Sequence, residues 1–241
     1  MSEDARHYSM NGVLTRPFAN TLTLQRLNAL CREIFEGRIK KGYKEKVHYE
    51  GMARDVGLNH NYDPVLLDIL FENDLPRLMQ EVVGPNAVLY NINAITSIPP
   101  GYVTFWHSDE QARPVHKVFY YPVFDNDADP CLEVIPGHFR SLWRSRSRIL
   151  TNRYSSWIEA TLSRKQMITS SNENFVVLNT CVMHRAVPVT KPSGVFRLMY
   201  SFVDWFKDED ERRRITALPY TPIRINDEIV KHYSSRITSR K

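Results

Sequence analysis

The feature that most constrains the fold of this chain is a change of residue pattern at Ala87. Before it, residues 17–36 carry apolar side chains at spacings near three and four, which predicts an amphipathic helix ended at Gly37. A second helical stretch is predicted over residues 64–83, interrupted near Pro76. From Ala87 onward, short runs of aromatic and β-branched residues alternate with Pro, Gly, Asn and Asp, which is typical of strands. The pattern therefore predicts a mainly β core with flanking helices.

This change divides the chain into three parts. We expect a helical N-terminal part over about 17–84, a β-core over about 87–205 and a charged C-terminal extension over 206–241. The polar residues 37–60 predict a mobile flap, and residues 154–167 predict a helical insertion between strands. A length of 241 residues with 42% hydrophobic content suits a single domain with a sizeable core.

The segment Trp106-His107-Ser108-Asp109 places an imidazole and a carboxylate two residues apart in what the pattern predicts to be a strand. Residues i and i+2 of a strand point to the same face, so His107 and Asp109 can hold one metal ion from one side of a sheet. His184, which follows the strand-like run 174–179, offers a third ligand. Two histidines and one carboxylate, with the other coordination positions open, are the ligand set of non-haem Fe(II) oxygenases. The three residues are therefore candidate metal ligands and candidate catalytic residues.

Each of these residues also has a plainer interpretation. His107 and Asp109 are alternatively a hydrogen-bonded surface pair, and His184 is alternatively a histidine satisfied within the core. His138 competes with His184 for the third ligand position, but the interval from Asp109 to His138 is short for the strands that a barrel needs there. We favour His184 because it follows a complete apolar strand.

Arg197 lies inside a second apolar run, residues 195–203, downstream of His184. Its neighbours Phe196 and Leu198 should face the opposite side of the strand. A charged side chain in such a strand is rarely buried without a partner. The fixed fork of a guanidinium suits the far carboxylate of 2-oxoglutarate better than lysine does. The alternative is an outward-facing arginine on the sheet surface.

Several segments around these residues resemble one enzyme family. Residues 63–68 and 82–87 are similar to the helix and turn before its first core strand, residues 117–121 to the strand after its metal loop, and residues 132–138 to its Ile-Pro-Gly-Ser-His element. Together with the order His-x-Asp, His and Arg, these segments resemble the phytanoyl-CoA dioxygenase-like branch of the Fe(II)/2-oxoglutarate-dependent oxygenases. The resemblance covers roughly residues 60–205.

The resemblance implies a double-stranded β-helix, that is a cupin-like jelly-roll, with helices packed on one face. It implies Fe(II) held by His107, Asp109 and His184, with 2-oxoglutarate bound by the metal and Arg197, and with O2 as the other co-substrate. The implied reaction is the oxidation, most often the hydroxylation, of an aliphatic C–H bond, with release of succinate and CO2.

Other positions extend the resemblance or depart from it. Asn93 and Ser97 match a strand position from which relatives contact the co-substrate through amide or hydroxyl groups. Many relatives carry a small hydroxyl residue shortly after the distal histidine, where this chain has Arg185-Ala186-Val187, and the Pro-Gly-Ser-His element is one residue shorter here. Halogenases related to the family replace the metal carboxylate by Gly or Ala. Asp109 keeps that carboxylate, which favours hydroxylation or a related oxidation over chlorination.

The formal net charge of +5 raises the question of an anionic partner. Most basic residues fall in runs that are typical of solvated loops and chain ends. The basic residues of segment 140–153 follow the Pro136-Gly137 turn, which borders the substrate mouth in the resembling family. They favour an anionic small molecule, such as an acyl thioester, a phosphonate or a carboxylate. The sequence contains no dedicated nucleic-acid-binding motif.

Cysteine usage and hydropathy indicate the compartment. Cys31, Cys131 and Cys181 are too few and too scattered for a disulfide framework. The N-terminal residues include acidic side chains and no apolar segment, and no stretch reaches the length that spans a bilayer. We expect a cytoplasmic protein that does not contact a membrane.

Two other functions fit the same residues. One is a jelly-roll that binds a metal or a small molecule without turnover, which an intact set of ligands plus Arg197 argues against. The other is a metalloenzyme of the cupin kind that does not use 2-oxoglutarate, for which Arg197 would be dispensable.

Overall fold

The computed structural model of this chain describes residues 1–19, 21–38, 42, 44–48, 53–99, 106–109, 114–125, 127–137, 165–205 and 209–238. Within them the chain forms two antiparallel sheets and six helices. No helix of these ranges is long and apolar enough to cross a bilayer.

The larger sheet has eight strands within the described ranges. They are β1 (Val13–Pro17), β2 (Lys44–His48), β3 (Ala53–Leu58), β4 (Ala87–Ser97), β5 (His116–Tyr120), β8 (Asn174–Asn179), β10 (Val195–Asp204) and β11 (Ile223–Arg224). Their order is β1-β8-β5-β10-β4-β3-β2, and β11 pairs with β4.

The smaller sheet has three strands in the described part of the chain: β6 (Pro130–Ile135), β7 (Gln166–Thr169) and β9 (Met183–Ala186), in the order β7-β6-β9. Buried side chains of both sheets pack together in one apolar cluster, with Phe119 and Leu178 from the larger sheet and Leu132 and Val134 from the smaller. The two sheets therefore face each other across an interior layer, as in a jelly-roll.

The helices are α1 (Glu3–Asn11), α2 (Thr21–Phe35), α3 (Val65–Glu72), α4 (Leu75–Val83), α5 (Glu209–Thr216) and α6 (Asp227–Thr238). Helices α2 and α4 contact β10 and β4, and α3 contacts α2, α4 and α6. Apolar residues of α2, α3 and α4 share one buried cluster with the larger sheet. These helices thus cover the outer face of that sheet and leave its inner face for the smaller sheet.

Strand β10 shows how the sequence assigns side chains to these two faces. Phe196, Leu198, Tyr200 and Phe202 are buried in the cluster under the helices. The alternate positions, among them Arg197, point to the inner face because successive strand residues point in opposite directions.

The mainly β fold with a jelly-roll core and helices on one face, predicted from the sequence, is confirmed. The amphipathic helix is also confirmed, as α2. The second helical stretch is broken at Asn73 and Asp74 rather than at Pro76, because Asp74 takes a left-handed conformation with φ 54°. Pro76 lies in the first turn of α4, where its missing N–H costs no hydrogen bond.

One local prediction is wrong. Residues 37–60 were expected to form a mobile polar flap, but 44–48 and 53–58 form β2 and β3, which pair with each other and extend the larger sheet from β4. The error comes from pairing with a distant strand, which a local pattern does not report. The helical insertion expected over residues 154–167 lies mostly outside the described residues; its last two residues, Gln166 and Met167, belong to β7.

The core cluster under the helices gives a direct stability test. Leu198→Ala removes a fully buried side chain from the middle of β10 and should lower the free energy of unfolding by about 2–5 kcal/mol. Leu22→Ala, at a position that is 67% exposed on α2, should change it by less than about 0.5 kcal/mol. Urea denaturation of both variants measures the difference, and equal effects would contradict this description of the core.

Candidate metal centre

His107 and His184 are joined through their backbones. They form an isolated antiparallel bridge, in which His107 N donates to His184 O at 3.0 Å and His184 N donates to His107 O at 2.9 Å. Residues 106–109 are otherwise not a regular strand, contrary to the sequence prediction. The bridge nevertheless attaches this segment to β9 and brings the two predicted histidines side by side.

Asp109 is fixed by a second set of backbone contacts. Its N–H donates to Thr180 O at 3.0 Å, and Thr180 N donates to Val115 O at 3.0 Å. The hydroxyl of Ser108 donates to Cys181 O at 3.2 Å. The turn between β8 and β9 therefore holds the carboxylate-bearing residue in place.

The three predicted ligands converge on one point. Asp109 Oδ1 lies 3.1 Å from His107 Nε2 and 3.6 Å from His184 Nε2. One potential ligand atom of each residue lies within 4.8 Å of those of the other two. The imidazole rings are 4.4 Å apart, centroid to centroid, and inclined by 49°. Three donor atoms are thus arranged around a space of the size that a single metal ion needs.

The protonation states suit metal binding. Burial opposes the ionisation of Asp109, but hydrogen bonds from His107 and His184 and the charge of Lys117 outweigh it, so the pKa of this carboxyl is far below its usual range. Burial lowers the pKa of His184 despite the opposing effect of Asp109. His184 Nδ1 lies 2.9 Å from Val182 O, and this contact orients the ring so that Nε2 faces Asp109.

Lys117 belongs to this centre, although the sequence analysis did not single it out. Its Nζ lies 2.6 Å from Asp109 Oδ2. Lys117 is on β5, on the same face as Phe119 and Tyr121, both of which are buried between the sheets. The sequence signal that could have identified Lys117 is its spacing: it alternates with two aromatic residues that face the interior.

A second charged cluster lies on the opposite face of β9. Glu133 of β6 is cross-strand from Arg185 and accepts hydrogen bonds from Arg185 Nε at 2.5 Å and Lys165 Nζ at 2.6 Å. The Arg185 guanidinium lies 4.9 Å from the ring centre of Trp106, which is fully buried. Because Arg185 follows His184 and Trp106 precedes His107, this cluster supports both histidines from behind. The arginine that replaces the family's small hydroxyl residue therefore points away from the centre.

Arg197 lies at a separate cavity on the inner face of the larger sheet. Tyr121, Ala186 and Ser97 also line this cavity. Arg197 Nε and the Tyr121 hydroxyl are both buried and have no hydrogen-bond partner in the described part of the chain. Burial raises the pKa of Tyr121, and the nearby charge of Arg197 opposes that shift. An acceptor in this cavity, whose volume is about 20 Å³, would satisfy both donors, and a carboxylate oxygen or a water molecule is of the required size.

The cavity lies close to the metal ligands. Ala186 is two residues after His184 on β9, so both side chains point to the same face, roughly 6.6 Å apart along the strand. One wall of the Arg197 cavity is therefore on the same face of β9 as His184.

Asn93 and Ser97 lie on β4 on the same face as Arg197, because Ile95 between them pairs with Arg197. Ser97 lines the Arg197 cavity. The Asn93 amide donates to Asp55 Oδ1 at 2.6 Å, while its own Oδ1 is buried without a hydrogen-bond partner among the described residues. Both side chains are thus placed toward the interior that contains the candidate site.

Other residues considered from the sequence fall elsewhere. His138, the competing ligand, and the basic segment 140–153 lie outside the described residues. His116 is buried on β5, where its Nδ1 hydrogen-bonds to the Tyr8 hydroxyl at 2.8 Å.

No protein-family model matches this chain, and no curated protein matches it either. Solved structures do. The non-heme α-ketoglutarate-dependent carbocyclase SnoK from nogalamycin biosynthesis superposes with a TM-score of 0.63 at 15% identity, over 92% of this chain and 93% of that chain. EctD from S. alaskensis with bound Fe gives a TM-score of 0.66 at 12% identity, over 84% and 76%.

A third structure, HygX from Streptomyces hygroscopicus with nickel, 2-oxoglutarate and hygromycin B bound, gives a TM-score of 0.59 at 10% identity, over 86% of this chain and 88% of that chain. The chain shares the fold of these three proteins. At such identities the likeness establishes the jelly-roll architecture, and the chemistry has to be argued from this chain's own residues.

The cluster behind the histidines gives a test that needs no metal. Burial raises the pKa of Glu133, but hydrogen bonds from Lys165 and Arg185 outweigh it and lower the pKa below the ordinary value of 4.5. A carboxyl with a lowered pKa in the folded state stabilises the fold above its unfolded pKa, and this contribution is lost as the pH falls through the folded pKa. Glu133→Gln should therefore cost about 1–3 kcal/mol at neutral pH and progressively less in acid.

Denaturation with urea at neutral pH and below pH 4.5 measures this difference. The matched control is Glu209→Gln, which removes an exposed ion pair with Arg213 on α5 and should change stability by less than about 1 kcal/mol. A loss at Glu133 that does not depend on pH would contradict the assignment of this carboxylate as ionised and paired.

Proposed function

We propose that this protein is a non-haem Fe(II)/2-oxoglutarate-dependent oxygenase that hydroxylates an aliphatic C–H bond of a small molecule. His107, Asp109 and His184 hold the Fe(II), and Arg197 binds the far carboxylate of 2-oxoglutarate. In the overall reaction, O2, 2-oxoglutarate and the C–H bond of the substrate give the alcohol, succinate and CO2.

The observation that carries the proposal is the convergence of two imidazole nitrogens on one ionised carboxylate oxygen. Asp109 is ionised and His184 Nε2 faces it, so a metal ion that displaces the proton between them would find both ligand atoms in position. No further His, Cys, Asp or Glu of the described residues joins the group. Three donors that leave the remaining positions open are the set that suits Fe(II) and O2.

The cavity at Arg197 supports 2-oxoglutarate as the co-substrate. Its buried Arg197 Nε and Tyr121 hydroxyl have no acceptor among the residues that the structure describes, and a carboxylate would satisfy both. Ser97 lies at the same cavity, and the unpartnered Oδ1 of Asn93 faces the same interior. We assign Ser97 and Asn93 as further contacts of the co-substrate or of the substrate beside it.

The bound ferrous ion would supply the activation of O2, and the chain supplies position and exclusion of water. The bridge between His107 and His184 fixes the two imidazoles, and Thr180 fixes Asp109 through its backbone. His184 is 6% exposed and Trp106 behind His107 is fully buried. The backbone therefore holds the ligands in place, with His184 buried and the side chains of His107 and Asp109 partly exposed.

Asp109 leaves no vacant ligand position for a halide, which favours hydroxylation or a related oxidation over chlorination. The similar structures include an epimerase and a carbocyclase from nogalamycin biosynthesis, so the fold accommodates other oxidations. The ordered sequence elements over residues 60–205 support placement in the phytanoyl-CoA dioxygenase-like branch. The basic residues of 140–153 support an anionic substrate, such as an acyl thioester.

Uncoupled turnover tests the proposal without knowledge of the substrate. Purified protein with Fe(II), ascorbate, O2 and 2-oxoglutarate should form succinate slowly, and His107→Ala should reduce this to the rate without protein. Succinate is measured by mass spectrometry. Equal rates in wild type and variant would exclude an oxygenase and favour a jelly-roll without turnover.

A substitution of Arg197 distinguishes a 2-oxoglutarate-dependent enzyme from a cupin-type metalloenzyme that does not use 2-oxoglutarate. Arg197→Met removes a charge-assisted partner of the co-substrate and should raise the KM for 2-oxoglutarate about 10–100-fold. Metal binding should stay unchanged, because Arg197 is not one of the ligands. Arg213→Met on the exposed face of α5 is the control. An unchanged KM in Arg197→Met would argue against this carboxylate site.

A further inference from the structure

Lys117 and Asp109 form the tightest charged contact of the candidate centre. The two oxygens of the Asp109 carboxylate have different partners: Oδ1 faces His107 Nε2 and His184 Nε2, whereas Oδ2 lies 2.6 Å from Lys117 Nζ. The ammonium thus occupies the oxygen that points away from the two imidazoles. Only Oδ1 remains directed at the space that all three ligands share.

Both partners of this contact are anchored. Lys117 lies in the middle of the larger sheet, cross-strand from Leu178 of β8 and Ser201 of β10, both of which are buried. Asp109 is tied by its N–H to Thr180, and Thr180 is tied to Val115, two residues before Lys117. The side chain of Lys117 is 21% exposed, so solvent screens the contact only in part.

From this geometry we propose that Lys117 is a positioning residue of the metal centre: it holds Asp109 in single-oxygen coordination and keeps open the position that a second carboxylate oxygen would occupy. The inference rests on the proposed function. A 2-oxo acid would need two coordination positions on the ferrous ion, and O2 would need one more. If Asp109 bound the ion through both carboxylate oxygens, it would obstruct one of these positions.

Charge gives Lys117 a second effect on the same step. A ferrous ion, one carboxylate and dianionic 2-oxoglutarate sum to one excess negative charge. Arg197 balances that charge at the far carboxylate, and the ammonium of Lys117 adds a positive charge beside the metal end of the dianion. Removal of the ammonium therefore weakens binding of the dianion to the metal-loaded centre. Removal of the ammonium does not weaken binding of the metal, because a neighbouring positive charge opposes the approach of a dication. Substitution of Lys117 should therefore weaken the binding of 2-oxoglutarate and leave the binding of the metal unchanged.

The test compares Lys117→Met, Lys117→Arg and Lys191→Met. Lys191 is the matched control, because it forms an ion pair with Asp129 at 2.9 Å and has a side chain 20% exposed, outside the centre. Each variant is titrated with Co(II), and the Co(II)-loaded protein is titrated with 2-oxoglutarate, while the visible Co(II) absorption is recorded. Thermal unfolding of the metal-free proteins checks the fold.

In Lys117→Met we expect Co(II) binding to persist, the affinity for 2-oxoglutarate to fall about tenfold or more, and the Co(II) absorption to change with the added carboxylate oxygen. Lys117→Arg keeps the charge and the donor, and should recover most of the affinity. Lys191→Met should behave as wild type. Should Lys117→Met fail to fold, Lys117→Gln replaces it in the same comparison.

Equal affinity for 2-oxoglutarate and an unchanged Co(II) spectrum in Lys117→Met would overturn the inference and leave the proposed function intact. A parallel loss in Lys191→Met would also overturn it, because the effect would then be general. If wild-type protein binds no Co(II), or binds it equally well in His107→Ala, the proposed function fails and the inference fails with it.

Discussion

The candidate centre depends on the pair of backbone hydrogen bonds between His107 and His184. These two bonds attach a segment without regular strand structure to the edge of β9, and so they set the distance between two imidazoles that are far apart in sequence. Residues paired directly across antiparallel backbones present their side chains on the same face, so the two imidazoles lie side by side once the backbones are joined. Asp109 then follows, because its own N–H is bound to the turn that leads into β9.

Two carboxylates lie on opposite faces of this arrangement, one with three cationic or imidazole partners and the other with two. Asp109 faces the two histidines and Lys117, and Glu133 faces Arg185 and Lys165 on the far side of β9. The first carboxylate has an oxygen directed at the shared space, whereas both oxygens of the second are committed to protein partners. Asp109 therefore has an oxygen available for a ligand, whereas Glu133 links Arg185 and Lys165 behind the site. This arrangement allows the site to be ordered before a ligand binds.

The sequence predicted those features that depend on local periodicity or on residue chemistry. The pattern change at Ala87 and the helix around Leu27 are visible in the local spacing of apolar residues. The His-x-Asp pair and His184 were recognised because their side chains are typical metal ligands. It missed β2 and β3, because a polar segment becomes a strand only when a neighbouring strand pairs with it. It also missed the contact of Lys117 with Asp109, which depends on the tertiary position of Asp109 beside β5.

The measurement that tests this account most directly is a crystal structure of the Fe(II)-loaded protein with anomalous scattering recorded at the iron edge. The account predicts one iron bonded to His107 Nε2, His184 Nε2 and Asp109 Oδ1, with Lys117 still on Oδ2. An iron bound at other residues, or a map in which the two imidazoles and the carboxylate remain together around no metal, would contradict it.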